Sequence, residues 1–355
     1  MTVAFYAPLK APNHTVPSGD RTMARALMAA MQATGRAVDL ASELRLYDGV
    51  GLPETQDALF AAARAETARL LATPQARTWR VWVTYHNYYK APDLIGPAVC
   101  DALALPYVQI ESTRARKRLQ GPWAQFAQAA EDASDAAALI FYLTHRDAET
   151  LRRDAPAAQI LRHLPPFLQQ DTLPDASTLD GPMLSVGMMR EGDKLSSYRL
   201  IAETLHTLPA GIDWRLDIAG DGTARHEVEA LMAPFGNRVR LLGQLNSAAL
   251  ADLYGQASIL FWPGVNEAFG LTYLEAQAAG VPVVAQNRPG VCDVVVGPQS
   301  DVDAGAQAMA DHLAHLLGDQ GARRAAGKAA RDTVGTRHLL GHAARTIDTE
   351  LRGLT

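Results

Sequence analysis

The chain has 355 residues, 48% of them hydrophobic, with 33 Lys and Arg against 38 Asp and Glu. That length suits about two domains, and the composition excludes a disordered tract, a collagen-like fibre and a small disulfide scaffold. The net charge of -5 gives no general attraction to nucleic acid, whose phosphates need a basic face, although a local basic patch is left open.

Short apolar runs alternate with longer amphipathic stretches, the pattern of a parallel sheet covered by helices. In chain order, strands are predicted at 3–6, 37–40, 81–84, 107–110 and 138–142, with helices at 22–33 and 59–71, which makes one doubly wound unit. Leu164-Pro165-Pro166-Phe167 and the Pro- and Asp-rich stretch 171–182 break both periodicities and read as a linker, with the boundary near Leu173. The first domain is therefore placed at 1–172. Strands at 183–186, 215–218, 239–242, 259–262 and 281–284, with helices near 195–208, 224–233, 246–255 and 271–279, make a second α/β unit at 173–335. Helical patterns at 302–317, 322–334 and 341–351 form a tail, and 336–355 is expected to pack back on the first domain. Cys100 and Cys292 both sit among apolar neighbours and read as two buried, reduced thiols of a cytoplasmic protein, which leaves no metal site to build from them. No apolar stretch approaches the roughly 20 residues of a spanning helix, and the first residues lack a cationic leader, so a soluble or peripheral protein is expected.

Open parallel sheets bind ligands beyond the carboxyl ends of their strands, so the chemistry is expected in loops that follow strands, in a cleft between the two domains. The most informative of these runs from Trp262 to Gly280 and re-enters the sheet through Val281-Pro282-Val283-Val284. Phe269-Gly270 opens a helix, so the amides of Gly270, Leu271 and Thr272, with the positive end of the helix dipole, suit a diphosphate. Glu275 falls on the helix face shared with Leu271 and Thr272, while Glu267 lies in the loop before it. Carboxylates accept hydrogen bonds from vicinal sugar hydroxyls, so one acid per sugar of a sugar nucleotide is the natural division. The plain alternative is a solvated helix acid and a loop acid.

The segment Asn266-Glu267-Ala268-Phe269-Gly270-Leu271-Thr272-Tyr273-Leu274-Glu275 resembles the E-x7-E segment of retaining, two-domain glycosyltransferases of GT-B fold, family 4 (glycosyl transferases group 1). The resemblance extends over the second domain. Gly187 with Arg190 and Lys194 is similar to the family's Gly-Arg…Lys loop, Gly220-Asp221-Gly222 to its Gly-x-Gly turn, and Leu241-Leu242-Gly243 to the strand end near the base. It implies two Rossmann-like domains facing across a cleft, Glu275 on the ribose, Glu267 on the transferred hexose, and Arg190 and Lys194 on the diphosphate. Gly187, Gly222 and the 268–272 turn would complete the donor site, with no metal needed. Where the family has Arg directly after the first-strand Gly, this chain has Met188, and its Gly-Gly-x-x-Glu appears as Pro289-Gly290-Val291-Cys292-Asp293.

In the first domain, Pro17-Ser18-Gly19-Asp20-Arg21 follows the first strand, and Gly19 suits close approach of a phosphate or sugar. His86 follows the third strand, a candidate catalytic residue that would contact the acceptor or the donor sugar, and Glu111-Ser112 follows the fourth as a second acceptor-side candidate; the resemblance would put a His where Glu111 stands. Arg114, Arg116, Lys117 and Arg118, followed by Trp123 and Phe126, are either a peripheral contact with an anionic membrane or a solvated loop over core aromatics. The function expected is transfer of a hexosyl unit from a nucleotide-diphosphate sugar to a glycan, lipid or small-molecule acceptor. The alternatives are a nucleotide-sugar epimerase or hydrolase of the same fold and a non-catalytic nucleotide-sugar-binding scaffold. A nicotinamide dehydrogenase is disfavoured, because the first strand-to-helix turn holds only Gly19 in place of G-x-G-x-x-G.

Overall fold

The computed structural model describes residues 1–15 and 18–354, so Pro17 of the first turn lies outside the described residues. The chain divides into two compact units, Met1–Gln169 with Leu340–Thr355, and Gln170–Leu339.

The first unit holds six strands, β1 (Thr2–Tyr6), β2 (Ala37–Ser42), β3 (Trp79–Tyr85), β4 (Tyr107–Ile110), β5 (Leu139–Tyr142) and β6 (Ile160–His163). They form one sheet in the order β2-β1-β3-β4-β5-β6, and every pair is parallel. Trp, Val and Tyr dominate β3, residue types that fill a pleated surface well, and all but Arg80 of this strand are buried. Helices Gly19–Ala33, Pro53–Leu71, Gly96–Leu103, Ala124–Ala136 and His145–Asp154 connect the strands. The first is capped by Ser18, whose Oγ accepts from the Arg21 amide at 3.3 Å. The order of connection reverses between β1 and β3, so the loops after these two strands flank the switch point.

Helix Leu340–Arg352 belongs to this unit and packs against helix Gly19–Ala33. It buries Leu340, Ala343, Ala344, Ile347 and Leu351. Arg36, directly before β2, pairs with Asp348, and Arg162 Nε in β6 lies 2.7 Å from Glu350 Oε1, so arginines at both edge strands of the sheet hold the returning helix.

The second unit holds β7 (Met183–Val186), β8 (Leu216–Ala219), β9 (Val239–Gly243), β10 (Leu260–Phe261) and β11 (Val283–Val284). Their order is β11-β10-β7-β8-β9, again all parallel. The buried Ser185 hydroxyl donates to Phe261 O at 2.6 Å and ties β7 to β10 across the reversal of strand order. Helices Asp193–Thr207, Arg225–Met232, Ser247–Tyr254 and Leu271–Ala278 alternate with the strands, and Gly305–Gly318 and Gln320–Arg337 follow the last one. Both units are therefore parallel α/β folds of Rossmann type, and the chain ends in helices.

Cys100 is buried but Cys292 is exposed, which corrects the expectation of two buried thiols. Cys292 sits in the one-turn helix Val291–Asp293, where Val291 and Val294 take the inward positions and the residue between them faces out. Among the described residues no helix is long and apolar enough to cross a membrane.

Candidate functional site

In the second unit the loops after β7 and β10 carry the side chains singled out in the sequence. Lys194 stands in the first turn of helix Asp193–Thr207, and its ammonium pairs with Glu267 Oε1. The same oxygen accepts from the Trp262 indole N–H at 2.8 Å, and the Lys194 ammonium lies 5.5 Å from the centre of that ring. Two further hydrogen bonds fix the loop to the helix: Ser197 Oγ accepts from the Val265 amide at 3.1 Å, and Asn266 Nδ2 donates to Asp193 Oδ2 at 2.8 Å. Asn266 takes a left-handed φ of 50°, a conformation that asparagine adopts more readily than other residues with a Cβ. The Trp262 indole sits against Gly187, where a Cβ would come within 2.6 Å of the ring, so the glycine is required for this approach.

Gly270 begins the next helix with φ 76°, and a Cβ there would meet the Tyr273 ring at 2.7 Å. No side chain caps helix Leu271–Ala278, and no acid occupies its first turn, so the positive end carried by Gly270, Leu271 and Thr272 is open to an anion. Phe269 is buried beneath this turn and Ala268 is exposed above it. One turn into the helix Glu275 is half-buried, and its Oε2 accepts from Tyr254 OH at 3.0 Å. Burial pushes the Glu275 carboxyl above its ordinary value, against the opposing hydrogen bond from Tyr254. Gly222 lies in the loop after β8, with its amide donating to Asp221 Oδ1 at 2.7 Å. Arg190 is exposed in the loop after β7, and among the described residues its side chain has no partner, so Lys194 and Glu267 are brought together without it.

In the first unit three loops converge beside the switch point. His86 directly follows β3 and Glu111 directly follows β4, and both have left-handed backbones, with φ of 68° and 58°. Such angles are costly for residues with a Cβ and cluster at working sites. His86 Nδ1 lies 3.5 Å from Asp20 Oδ1, in the first turn after Gly19, and 4.0 Å from Glu111 Oε1. Burial disfavours the imidazolium, but the carboxylates of Glu111 and Asp20 outweigh it and hold His86 above its ordinary value. Burial raises the Glu111 carboxyl to about 7, with His86 opposing and Asp147 and Asp20 adding to the rise. A Cβ at Gly19 would meet nothing within 4 Å, so the protein's own packing does not call for glycine there.

Ser112 is turned away from this group. It is fully buried, and its hydroxyl donates to Gln109 Oε1 at 2.5 Å, which braces the strand end and corrects its place among the acceptor-side candidates. The basic run is also largely committed to the protein itself. Arg114 is buried between Glu131 (2.9 Å) and Asp135 (2.6 Å), Arg116 lies 3.4 Å from Asp154, and Arg118 stacks 5.1 Å from the centre of the Tyr89 ring. Arg114 therefore cannot face a membrane, and of the four cations Lys117 alone is exposed without a partner among the described residues. Three participants escaped the sequence reading: Asp20 as a partner of His86, Tyr254 as a donor to Glu275, and Trp262 as a donor to Glu267. Only Trp262 carried a usable signal, since it stands at a strand end beside the motif.

Residues 186–333, which include Lys194, Glu267 and Glu275, match the family described as Glycosyl transferases group 1. The second unit carries a glycosyl transferases group 1 domain. Part of the chain is 34% identical over 151 residues to a GDP-mannose-dependent alpha-mannosyltransferase of Mycolicibacterium smegmatis, covering 39% of this chain and 38% of the relative. It is 28% identical over 261 residues to the lipopolysaccharide core biosynthesis mannosyltransferase LpsB of Rhizobium meliloti, covering 70% of each. The similarity thus spans little more than a third of the first relative's length and a larger share of the second's. The sucrose-phosphate synthase of Thermosynechococcus elongatus superposes with a TM-score of 0.76 over 99% of this chain and 98% of its own, at 20% identity. This places the glycosyl transferases group 1 domain in a fold shared along the whole chain.

Proposed function

We propose that the protein is a retaining glycosyltransferase of family 4 that moves a hexosyl unit from a nucleotide-diphosphate sugar to a glycan, lipid or small-molecule acceptor. The observation that carries this reading is the Lys194–Glu267–Trp262 group, set at the switch point of the second sheet next to an uncapped helix N-terminus. A carboxylate held by a cation and an indole N–H is oriented to accept hydroxyl hydrogen bonds of a hexose. The cation and the amides of Gly270, Leu271 and Thr272 then answer the negative charge that grows on a departing diphosphate. Glu275, steadied by Tyr254, takes the ribose hydroxyls. Arg190, exposed in the loop after β7, is free to swing onto the diphosphate. No metal is required by this arrangement.

The bond from the anomeric carbon to the phosphate oxygen breaks with its electron pair going to that oxygen. The acceptor oxygen bonds to the same face of the carbon, and its proton passes to the leaving phosphate. Double displacement would need a carboxylate against the anomeric carbon; the front-face course is what the family resemblance implies, and a covalent glycosyl-enzyme trapped at Glu267 or Glu111 would overturn it. The test is a turnover screen of the full chain with UDP, GDP and ADP sugars, reading nucleoside diphosphate release with and without lipid and sugar acceptors. Acceptor-dependent release that disappears in Glu275→Ala supports the transferase. Release from donor alone would make the protein a hydrolase, conversion of the donor sugar without net release would make it an epimerase, and binding with neither release nor conversion would make it a scaffold.

A further inference from the structure

Among the described residues only five large hydrophobic side chains are exposed, and two of them, Val50 at 70% and Leu52 at 49%, share one tip between β2 and helix Pro53–Leu71. The tip is held firmly in that position. The buried Asp48 carboxylate accepts from the amides of Val50 (2.9 Å), Gly51 (2.8 Å) and Leu52 (2.9 Å), and from Gln56 Nε2 at 2.9 Å. Gln56 also donates to Pro122 O at 2.8 Å, which ties the tip to the segment after β4. Gly51 turns with φ 86° and is seated so closely that a Cβ would come within 2.5 Å of Pro122. A single exposed aliphatic needs no explanation, but a buried carboxylate that fixes two of them in water side by side points to a contact made elsewhere.

Aromatic rings and cations stand beside this tip. The Trp123 indole donates to Asp48 O at 3.1 Å, and the Tyr89 ring meets it edge-on at 5.7 Å. The Asp48 amide donates to Lys90 O at 2.9 Å, which joins the tip to the loop after β3. Lys90 Nζ lies 5.1 Å from the centre of the Trp123 ring and 5.8 Å from that of Tyr89, and the Arg118 guanidinium lies 5.5 and 5.1 Å from the same two. Among the described residues neither cation is paired with an acid, and Arg118 Nε is buried without a hydrogen bond. Lys117 is exposed next to it. The exposed acids nearest the tip in sequence are Glu54 and Asp57, so the aliphatic pair has to carry the contact and the cations to select its charge.

We propose that the tip of Val50 and Leu52 inserts into the surface of an anionic lipid bilayer, with Trp123 and Tyr89 at headgroup depth and Lys90, Lys117 and Arg118 on the lipid phosphates. Aliphatic side chains gain from the acyl boundary, amphipathic aromatics settle at the interface, and cations are drawn by anionic headgroups. The basic run after β4 thus keeps a surface role through Lys117 and Arg118, although Arg114 is buried within the protein. This surface stands whether or not the transferase reading holds.

Flotation of the full chain with phosphatidylcholine vesicles, with and without about a third phosphatidylglycerol, tests it. Partition onto the anionic vesicles is expected to exceed that onto phosphatidylcholine by about tenfold or more and to weaken at high salt. Val50→Ser with Leu52→Ser should lower it by about tenfold or more, and Lys90→Gln with Lys117→Gln by about tenfold. Melting temperature and nucleotide binding should be unchanged in both double variants, which reports that they are folded. Absence of binding to anionic vesicles, equal binding to both vesicle types, or full binding by the folded serine variant would each overturn the proposal. Concentration-dependent self-association that the serine variant abolishes, without vesicle binding, would make the tip a contact between copies instead.

Discussion

Lys194 and Glu267 are 73 residues apart in sequence and joined in space, one from the helix after β7 and the other from the loop after β10. The pair spans the one place in the second sheet where strand order reverses. Both side chains keep partial exposure, 31% and 14%, so the bond between them contributes little to stability and its value lies in orientation. Lys194→Met and Glu267→Gln are expected to lower turnover by about 100-fold or more and the double variant no further than the worse single one, as for groups that act as a unit. Melting temperatures should move by less than about 3 °C. Steady-state rates and thermal scans on the four proteins decide it; additive losses would show two independent roles.

Gly270→Ala should destabilise the second unit by about 1 to 3 kcal/mol, because its φ of 76° is strained for alanine and the new methyl meets the Tyr273 ring. Nucleotide affinity should fall as well, since the turn that presents the helix amides is the part displaced. Denaturant melts and nucleotide titration measure the two effects separately, and an unaltered midpoint would contradict the strain argument.

Glu111 makes the first unit sensitive to pH. Its carboxyl is raised to about 7 in the folded chain, so the folded state holds a proton that the unfolded state has released by then, and stability falls as pH climbs from its ordinary value through 7. His86, also raised, acts in the same direction: its contribution is complete below its ordinary value and is lost as pH rises through the folded one. Glu111→Gln removes the penalty and should be more stable than the wild type by roughly 1 to 3 kcal/mol at pH 8, with the difference shrinking toward pH 5. Melting curves over that range test the sign, and a variant weaker than wild type at pH 8 would refute it.

Arg36→Ala should cost about 3 kcal/mol, because the guanidinium is buried and its loss leaves Asp348 without its main partner. Arg36 also holds the Asp348 carboxyl below the usual range, so the contribution of the pair is present at neutral pH and lost as pH falls through the folded value. Urea unfolding of Arg36→Ala and Arg36→Lys reads it, with the lysine variant keeping part of the loss.

Periodicity located most strands because parallel strands are short, apolar and bounded by turns. The prediction 107–110 coincides with β4, and 183–186 with β7. It missed β6, whose Ile-Leu-Arg-His sequence is half polar and lies at the sheet edge with no residue fully buried, so it carries neither an apolar run nor alternation. The helix starts at Gly19 and Pro53 lay a few residues outside the predicted spans because the Ser18 cap sets the first and the proline of the first turn sets the second, rather than hydrophobic pattern. In the site, Glu267 and Glu275 were legible because one strand, turn and helix carry both. The approach of Asp20 to His86 was not, since three-dimensional convergence of separate loops leaves no mark in spacing. Ser112 and Arg114 show the reverse failure: each stands beside a strand end in sequence, yet its side chain turns inward to satisfy a buried neighbour.

Helix Leu340–Arg352 has a bearing on how the molecule is made. During synthesis the first unit's sheet and first helix emerge early, but the helix that packs on Gly19–Ala33 is translated after the whole of the second unit. The apolar surface that Leu340, Ala343, Ile347 and Leu351 meet must wait uncovered while roughly half the chain is still being added, at a few to some tens of residues per second. The unit begun first is therefore the unit finished last, and the ribosome-bound chain passes through a stage with one complete domain and one that still lacks a wall.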